Sequence, residues 1–244
     1  MEFRVWMFID AVLSPAGIDL LPKEDLSATT CVVFDVLRAT SSMVTALAHG
    51  AGEILPVRTI KEALAVRERW PGALLGGERN GNRIDGFDLG NSPLEYQKPF
   101  ERIITTTTNG TVALRACAAA GSVLAGAFLN MAALVAWLRE AAPKRLLMVC
   151  AGTFRELALE DVIAAGMLAA AFPDAALSDA ARVAVAAFRQ HEADLPGALR
   201  QSRNGRKLIE AGREEELVWC AQVSHYCVVG VMRDGVIRAI PENM

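Results

Sequence analysis

The chain has 244 residues, the length of one large α/β domain or of two intimate subdomains. Hydrophobic residues make up 52% and charged residues 22%, which supports a sizeable core and excludes wholesale disorder. The net charge of −3 lacks the basic excess of a nucleic-acid-binding surface, yet is compatible with a local anion pocket.

In chain order, MEFRVWMFIDAVL is an apolar run interrupted by Arg4 and Asp10. It reads as a strand over 3–9, not as a signal peptide. Further strands are expected at 31–35, 53–57, 73–76, 102–107, 122–126 and 145–150. Helices are expected between them at 41–49, 59–69, 111–120, 130–141 and 159–171. This alternation predicts an α/β fold: three α/β/α layers around a mostly parallel or mixed sheet. Residues 175–222 are Ala-rich and charged with helical periodicity, suited to a cap or to an oligomer face such as a homodimer. Short strands at 226–233 and 235–240 form a hairpin around Asp234-Gly235. The whole of 1–244 is read as one domain, divisible near 172 into two closely packed parts. No stretch nears the ~20 apolar residues that span a bilayer, so no membrane partner is expected. The five cysteines, Cys31, Cys117, Cys150, Cys220 and Cys227, form no CxxC pair. They predict reduced, mostly buried thiols in a cytoplasmic protein.

Four strand ends carry the chemistry. In VVFDVLRATSS a buried strand runs into Asp35, with Arg38, Thr40 and Ser41 following as a helix begins. Carboxylates suit a hard cation, while arginines, hydroxyls and a helix N-terminus suit an oxyanion. The same residues also suit a helix capped by Thr40 or Ser41, with an Asp–Arg surface pair. In GGERNGNRIDGFDLGNSPLEY, Glu78 and Arg79 follow two glycines that allow close backbone approach to a ligand. Asp85, Asp88 and Asn91 add oxygen donors, although Asp88 and Asn91 read better as turn formers. In RIITTTTNGTVAL, Thr107, Thr108, Asn109, Gly110 and Thr111 are placed to cradle phosphate, or else end a strand capped by Asn109. In VCAGTFRELALEDVIAAG, Glu160 and Asp161 open a helix, where acids usually complement the dipole. Several phosphate motifs are missing. There is no GxxxxGK[ST], Leu37 breaks a DxD at Asp35, and Arg155 falls one residue early for a Cys-x5-Arg loop at Cys150.

Together, DVLRATSS, the long GGER block, TTTNGT, and CAG followed at fixed length by LED resemble the 2-phosphosulfolactate phosphatase family. The resemblance implies a three-layer α/β fold and a magnesium-dependent phosphatase. The family's reaction releases phosphate from 2-phosphosulfolactate to give sulfolactate, on the way to coenzyme M in methanogens. This chain departs from the family's pattern at Arg155–Ala158, at Asn204 where His is usual, and at Ser224 where Asp is common. The expected mechanism is Mg²⁺-assisted hydrolysis of a small acidic phosphoester, with water as nucleophile or with a phospho-aspartyl intermediate at Asp35. Asp35 and Glu78 are the expected metal ligands, with Glu160 or Asp161 as a further one. Arg38 and Arg79 offset phosphoryl charge, Asn109 and the neighbouring threonines orient its oxygens, and Arg83 and Arg155 are candidates for a sulfonate. The same mechanism on another acidic phosphoester, and a non-catalytic anion-binding relative, are the alternatives.

Overall fold

A computed structural model describes residues 7–240. The strands are β1 (Phe8–Val12), β2 (Thr29–Phe34), β3 (Glu53–Pro56), β4 (Leu74–Arg79), β5 (Asn82–Arg83), β6 (Arg102–Thr106), β7 (Ser122–Gly126), β8 (Arg145–Cys150), β9 (Ala176–Leu177), β10 (Gly230–Arg233) and β11 (Val236–Ala239). The helices are α1 (Pro15–Ile18), α2 (Ala39–Ala48), α3 (Ile60–Arg69), α4 (Gly110–Ala116), α5 (Met131–Ala141), α6 (Leu159–Ala170), α7 (Asp179–His191), α8 (Leu195–Gln201), α9 (Arg203–Glu210) and α10 (Glu214–Cys220). The first strand lies later than expected: residues 8 and 9 of the expected 3–9 are in β1, and positions 3–6 fall outside the described residues.

Strand alternation builds the three layers. Along β2, Val32 and Phe34 face one side, where they join Leu146, Met148 and the apolar faces of α5 to α10. Cys31 and Val33 face the other side and pack with Ile18 of α1, Met43 and Leu47 of α2, and Leu114 of α4. A smaller cluster under α3 holds Leu75, Ile104 and Phe87. The Ala-rich final third becomes several short helices because its caps are local. Ser178 accepts from Ala181 N, Asp194 from Gly197 N and Ser202 from Gly205 N, each starting a new helix. Cys31, Cys117, Cys150 and Cys220 are buried free thiols, and Cys227 is exposed.

The sheet order is β5-β4-β6-β3-β11-β10-β7-β2-β8-β1-β9. Each half is parallel apart from the short edge strand β5, yet the C-terminal hairpin β10–β11 lies in the middle of the sheet, antiparallel to both β7 and β3. The sheet is therefore mixed, and the hairpin is its seam. Crossing it reverses the strand sense, so in a flat sheet the carboxyl ends of β6 and β2 would lie on opposite edges, about 24 Å apart sideways. They meet nonetheless, because a Cβ placed on Gly110, just after β6, would lie 2.5 Å from Asp35 Oδ2. Twist accumulated across the seam brings them together. The junction is narrow, with one registered pair, Ile237 with Ile54, joining β11 to β3.

Candidate active site

Asp35 follows β2 and is buried. Its Oδ1 accepts from Ala39 N at 3.0 Å, so Asp35 itself caps α2. Thr40 does not cap from in front of the helix; its Oγ1 accepts from Asp35 N at 3.0 Å and holds the aspartate in place. Ser41 donates to Val36 O at 2.7 Å. Both hydroxyls are fully buried braces behind Asp35, and neither lines the cavity below. Asp35 Oδ2 accepts no hydrogen bond from the described residues and is open to the cavity. Arg38 is buried beside it, paired with Glu216 of α10, and donates to Gly81 O at 2.8 Å.

At the end of β4 the two expected partners separate. Successive strand residues point to opposite faces. Glu78 lines the cavity, its Oε1 accepting from Thr108 N at 2.8 Å and its Oε2 from Gly81 N at 2.7 Å. Arg79 turns to Thr106, donating to its carbonyl at 3.1 Å and its hydroxyl at 2.9 Å, and does not line the cavity. Burial lowers its pKa, against the charge of Glu78. The two glycines before Glu78 admit protein and not ligand. A Cβ on Gly76 would lie 2.5 Å from the Tyr96 hydroxyl, and one on Gly77 would overlap the Thr106 backbone. Asp88, expected to bond its own turn, instead accepts through Oδ2 from Leu75 N at 2.8 Å, 13 residues back, and so ties its loop to β4; Asp85 is exposed. Asn91 is buried and does reach the cavity wall.

After β6, Thr107 and Thr111 clasp each other. Thr107 N donates to Thr111 Oγ1 at 3.0 Å and Thr111 N to Thr107 Oγ1 at 3.1 Å, which starts α4 without a cap from Asn109. Gly110 is required by the crowding at Asp35 and Ala39. Asn109 instead ties down the loop after β8, donating to Ala151 O at 2.9 Å and Phe154 O at 3.1 Å and accepting from Phe154 N at 3.1 Å. The adjacent acids of α6 also part company. Asp161 spends both oxygens on backbone amides, Val36 N at 2.8 Å and Gly152 N at 3.0 Å, and so joins the loops after β2 and β8. Glu160 Oε1 accepts from Asn204 Nδ2 at 2.7 Å, while its Oε2 is buried without a partner. The Thr108 hydroxyl is the other buried polar side-chain atom left unpaired among the described residues.

Some of these groups line a cavity of about 460 Å³, whereas Glu160, Asp161, Thr107 and Thr111 do not. Asp35, Glu78, Thr108, Asn109 and Gly152 contribute one part of its wall, and α9 covers it with Asn204, Lys207 and Leu208. Their i, i+3, i+4 spacing puts them on one helix face. Ala211 and Arg213 extend that wall. Within the helical third, α9 and the turn after it are therefore a cap on the site, while α7 and α8 pack into the core. Arg83 and Arg155 stay outside: Arg83 is exposed near Asp88 O at 3.5 Å, and Arg155 is exposed with Asp19 at 3.8 Å. Lys207, Arg213 and the covering face of α9 were missed at the sequence level, although the spacing of Asn204, Lys207, Leu208 and Ala211 was readable.

The acids are under-compensated. Burial raises the pKa of Asp35 to about 7; the amide of Ala39 opposes the shift, Glu78 and Glu160 add to it, and Arg38 opposes it. Burial likewise raises Glu160. It raises Asp161 well above the usual carboxylate range, with help from Glu160 and Asp35. Among the described residues no three His, Cys, Asp or Glu side chains converge into a ready-made metal cage. The site offers one or two carboxylates with uncommitted oxygens, the donor set of an ion that retains much of its water.

Fold and cavity together define an α/β protein with an acid-lined cavity of small-ligand size where strand ends from two half-sheets converge. A family model described as 2-phosphosulpholactate phosphatase matches residues 17–235, and the chain belongs to that family. A probable 2-phosphosulfolactate phosphatase of Thermotoga petrophila is 38% identical over 231 residues, which cover 93% of this chain and 96% of that protein. The protein of the same name from Deinococcus radiodurans is 42% identical over 214 residues, 85% of this chain and 88% of the relative. That of Clostridium acetobutylicum is 35% identical over 224 residues, 88% and 93% respectively.

Proposed function

We propose that this chain is a phosphomonoesterase that releases phosphate from 2-phosphosulfolactate, with Mg²⁺ as its cofactor. The activity for which its relatives are named supports the phosphatase reading. The observation that carries the metal is the buried, partnerless Glu160 Oε2 near an Asp35 whose pKa stands at about 7 through burial and neighbouring negative charge. Carboxylates left this way are stabilised by a cation. Asp35 and Glu160 would hold Mg²⁺ through Asp35 Oδ2 and Glu160 Oε2, with Glu78 adding negative charge in the cavity wall; Glu78 and Asp161 each commit both oxygens to backbone amides. When bound, Mg²⁺ neutralises phosphoryl charge and lowers the pKa of coordinated water.

The reaction forms a bond from a water oxygen to phosphorus and breaks the bond from phosphorus to the C2 oxygen of the lactate skeleton, which leaves with a proton. The residues of the chain supply position and field. Thr108 Oγ1, unpaired in the wall, donates to a phosphoryl oxygen. Arg38 contributes a fixed positive charge, immobilised by Glu216 and Gly81 O. Leu37, Phe154 and Leu208 supply apolar parts of the cavity wall. The open Oδ2 of Asp35 is also the atom that a phospho-aspartyl route would use. Borohydride trapping of Asp35 as homoserine during turnover, with net retention of configuration at phosphorus, would mark that route; no trapping, with inversion at phosphorus, would mark direct attack by water.

The deciding experiment is phosphate release from 2-phosphosulfolactate and 2-phospholactate, with Mg²⁺ and with EDTA. Metal-dependent release favouring the sulfonate is expected. Release from the carboxylate analogue alone moves the substrate. Silence on both, under Mg²⁺, overturns the phosphatase reading.

A further inference from the structure

One cation of the cavity wall is uncommitted. Lys207 lies one turn after Asn204 on α9 and forms no ion pair among the described residues. The neighbouring cations are engaged: Arg38 with Glu216, Arg203 with Glu156, and Arg213 with Gly81 O and Asn82 Oδ1. The Lys207 ammonium instead lies 4.9 Å from the centre of the Phe154 ring.

Phe154 is itself unusual. It is 50% exposed, and its φ of 55° lies in the left-handed region, where a bulky side chain is strained. Asn109 holds it there through both its N–H and its carbonyl. A ring kept half in water in a costly backbone conformation adds little to the core, and strain of this kind gathers at ligand sites. What the ring does is support a lysine. A cation over an aromatic face is held in place with its charge intact, still able to meet an anion. The cavity volume also matches that of sites holding whole small ligands, more than a phosphoryl group needs.

We infer that Lys207, seated on Phe154, reads the second oxyanion of the substrate, the sulfonate or carboxylate remote from the phosphoryl group, and thereby selects phosphoesters with an acidic tail. The identity of that ligand rests on the phosphatase reading, so the test separates the two. Calorimetry with sulfolactate and with inorganic phosphate, on wild type, Lys207→Met and Lys207→Arg, needs no turnover. Losing one charged hydrogen bond predicts sulfolactate binding roughly ten- to a hundredfold weaker in Lys207→Met. The loss should exceed that for phosphate at least tenfold and be largely restored in Lys207→Arg, with melting temperatures confirming intact folds. Equal sulfolactate affinity in wild type and Lys207→Met, or no sulfolactate binding by wild type, overturns the inference. Turnover with unchanged sulfolactate affinity in Lys207→Met would sink the inference and leave the phosphatase reading standing. Sulfolactate binding lost in Lys207→Met without any turnover by wild type would do the reverse. KM values for 2-phosphosulfolactate and 2-phospholactate identify the group read: loss of discrimination in Lys207→Met assigns the sulfonate, and a parallel rise assigns the carboxylate.

Discussion

Asp35 is where a single residue has the most to lose. A carboxyl that burial moves from 3.8 to about 7 holds a proton in the folded chain that the unfolded chain has already released. That linkage stabilises the fold fully below about pH 4 and is gone once pH rises through about 7. The metal-free protein is therefore expected to lose thermal stability between about pH 4 and about pH 7. Asp35→Asn should flatten part of that loss, with Glu160 and Asp161, raised in the same direction, carrying the remainder. Melting curves in EDTA across that range check this, and identical slopes for the two proteins would contradict it. The same substitution should lower hydrolysis by about 10²- to 10³-fold or more, as loss of a charge aimed at the reacting centre does. Asp35 and Glu78 were legible because a charge ending a buried strand needs a partner. Arg79 was misleading because adjacency in sequence was read as adjacency in space, whereas a strand sends neighbours to opposite faces.

At the scale of elements, α6 shows how one helix start serves two purposes. Glu160 and Asp161 look equivalent in sequence, as dipole-complementing acids or as metal ligands. In the fold, Asp161 bridges Val36 N and Gly152 N, and Glu160 keeps one buried oxygen without a partner. Asp161→Ala should thus leave two buried amides unpaired at about 1–3 kcal/mol each. Denaturant unfolding would register this as a shift in midpoint without a change in slope. A variant that melts like wild type and loses only Mg²⁺ affinity would return Asp161 to the metal. The helix α9 was visible in outline from its periodicity. Its role as the cavity cover was not, because an i, i+3, i+4 stripe of Asn204, Lys207 and Leu208 does not say which surface it meets. The hydroxyls of Thr40, Ser41, Thr107 and Thr111 point the same way: their types suit phosphate, and their places in the loops make them braces.

For the whole molecule, the C-terminal hairpin matters beyond its length. Because β10 and β11 fill the centre of the sheet, a chain ending at residue 228 would leave β7 and β3 with open edges and separate the two halves. We expect that truncation to abolish the cooperative thermal transition and the cavity with it, as read by circular dichroism and sulfolactate calorimetry. A cooperative melt from the truncated chain would show that the halves do not depend on the seam. By itself the amino-acid sequence determined the α/β class, the alternation of strands and helices, the hairpin at Asp234-Gly235, the free thiols and the acid-bearing strand ends. These are local matters of period, turn chemistry and burial, each written within a dozen residues. Tertiary structure alone decided that the final hairpin lies at the centre of the sheet, that oppositely running halves bring Asp35 and Gly110 together, and that α9 places Lys207 on the cavity. Those outcomes depend on pairings between segments up to about 200 residues apart, set by accumulated twist and by the competition of every apolar face for cover, which no window of sequence contains.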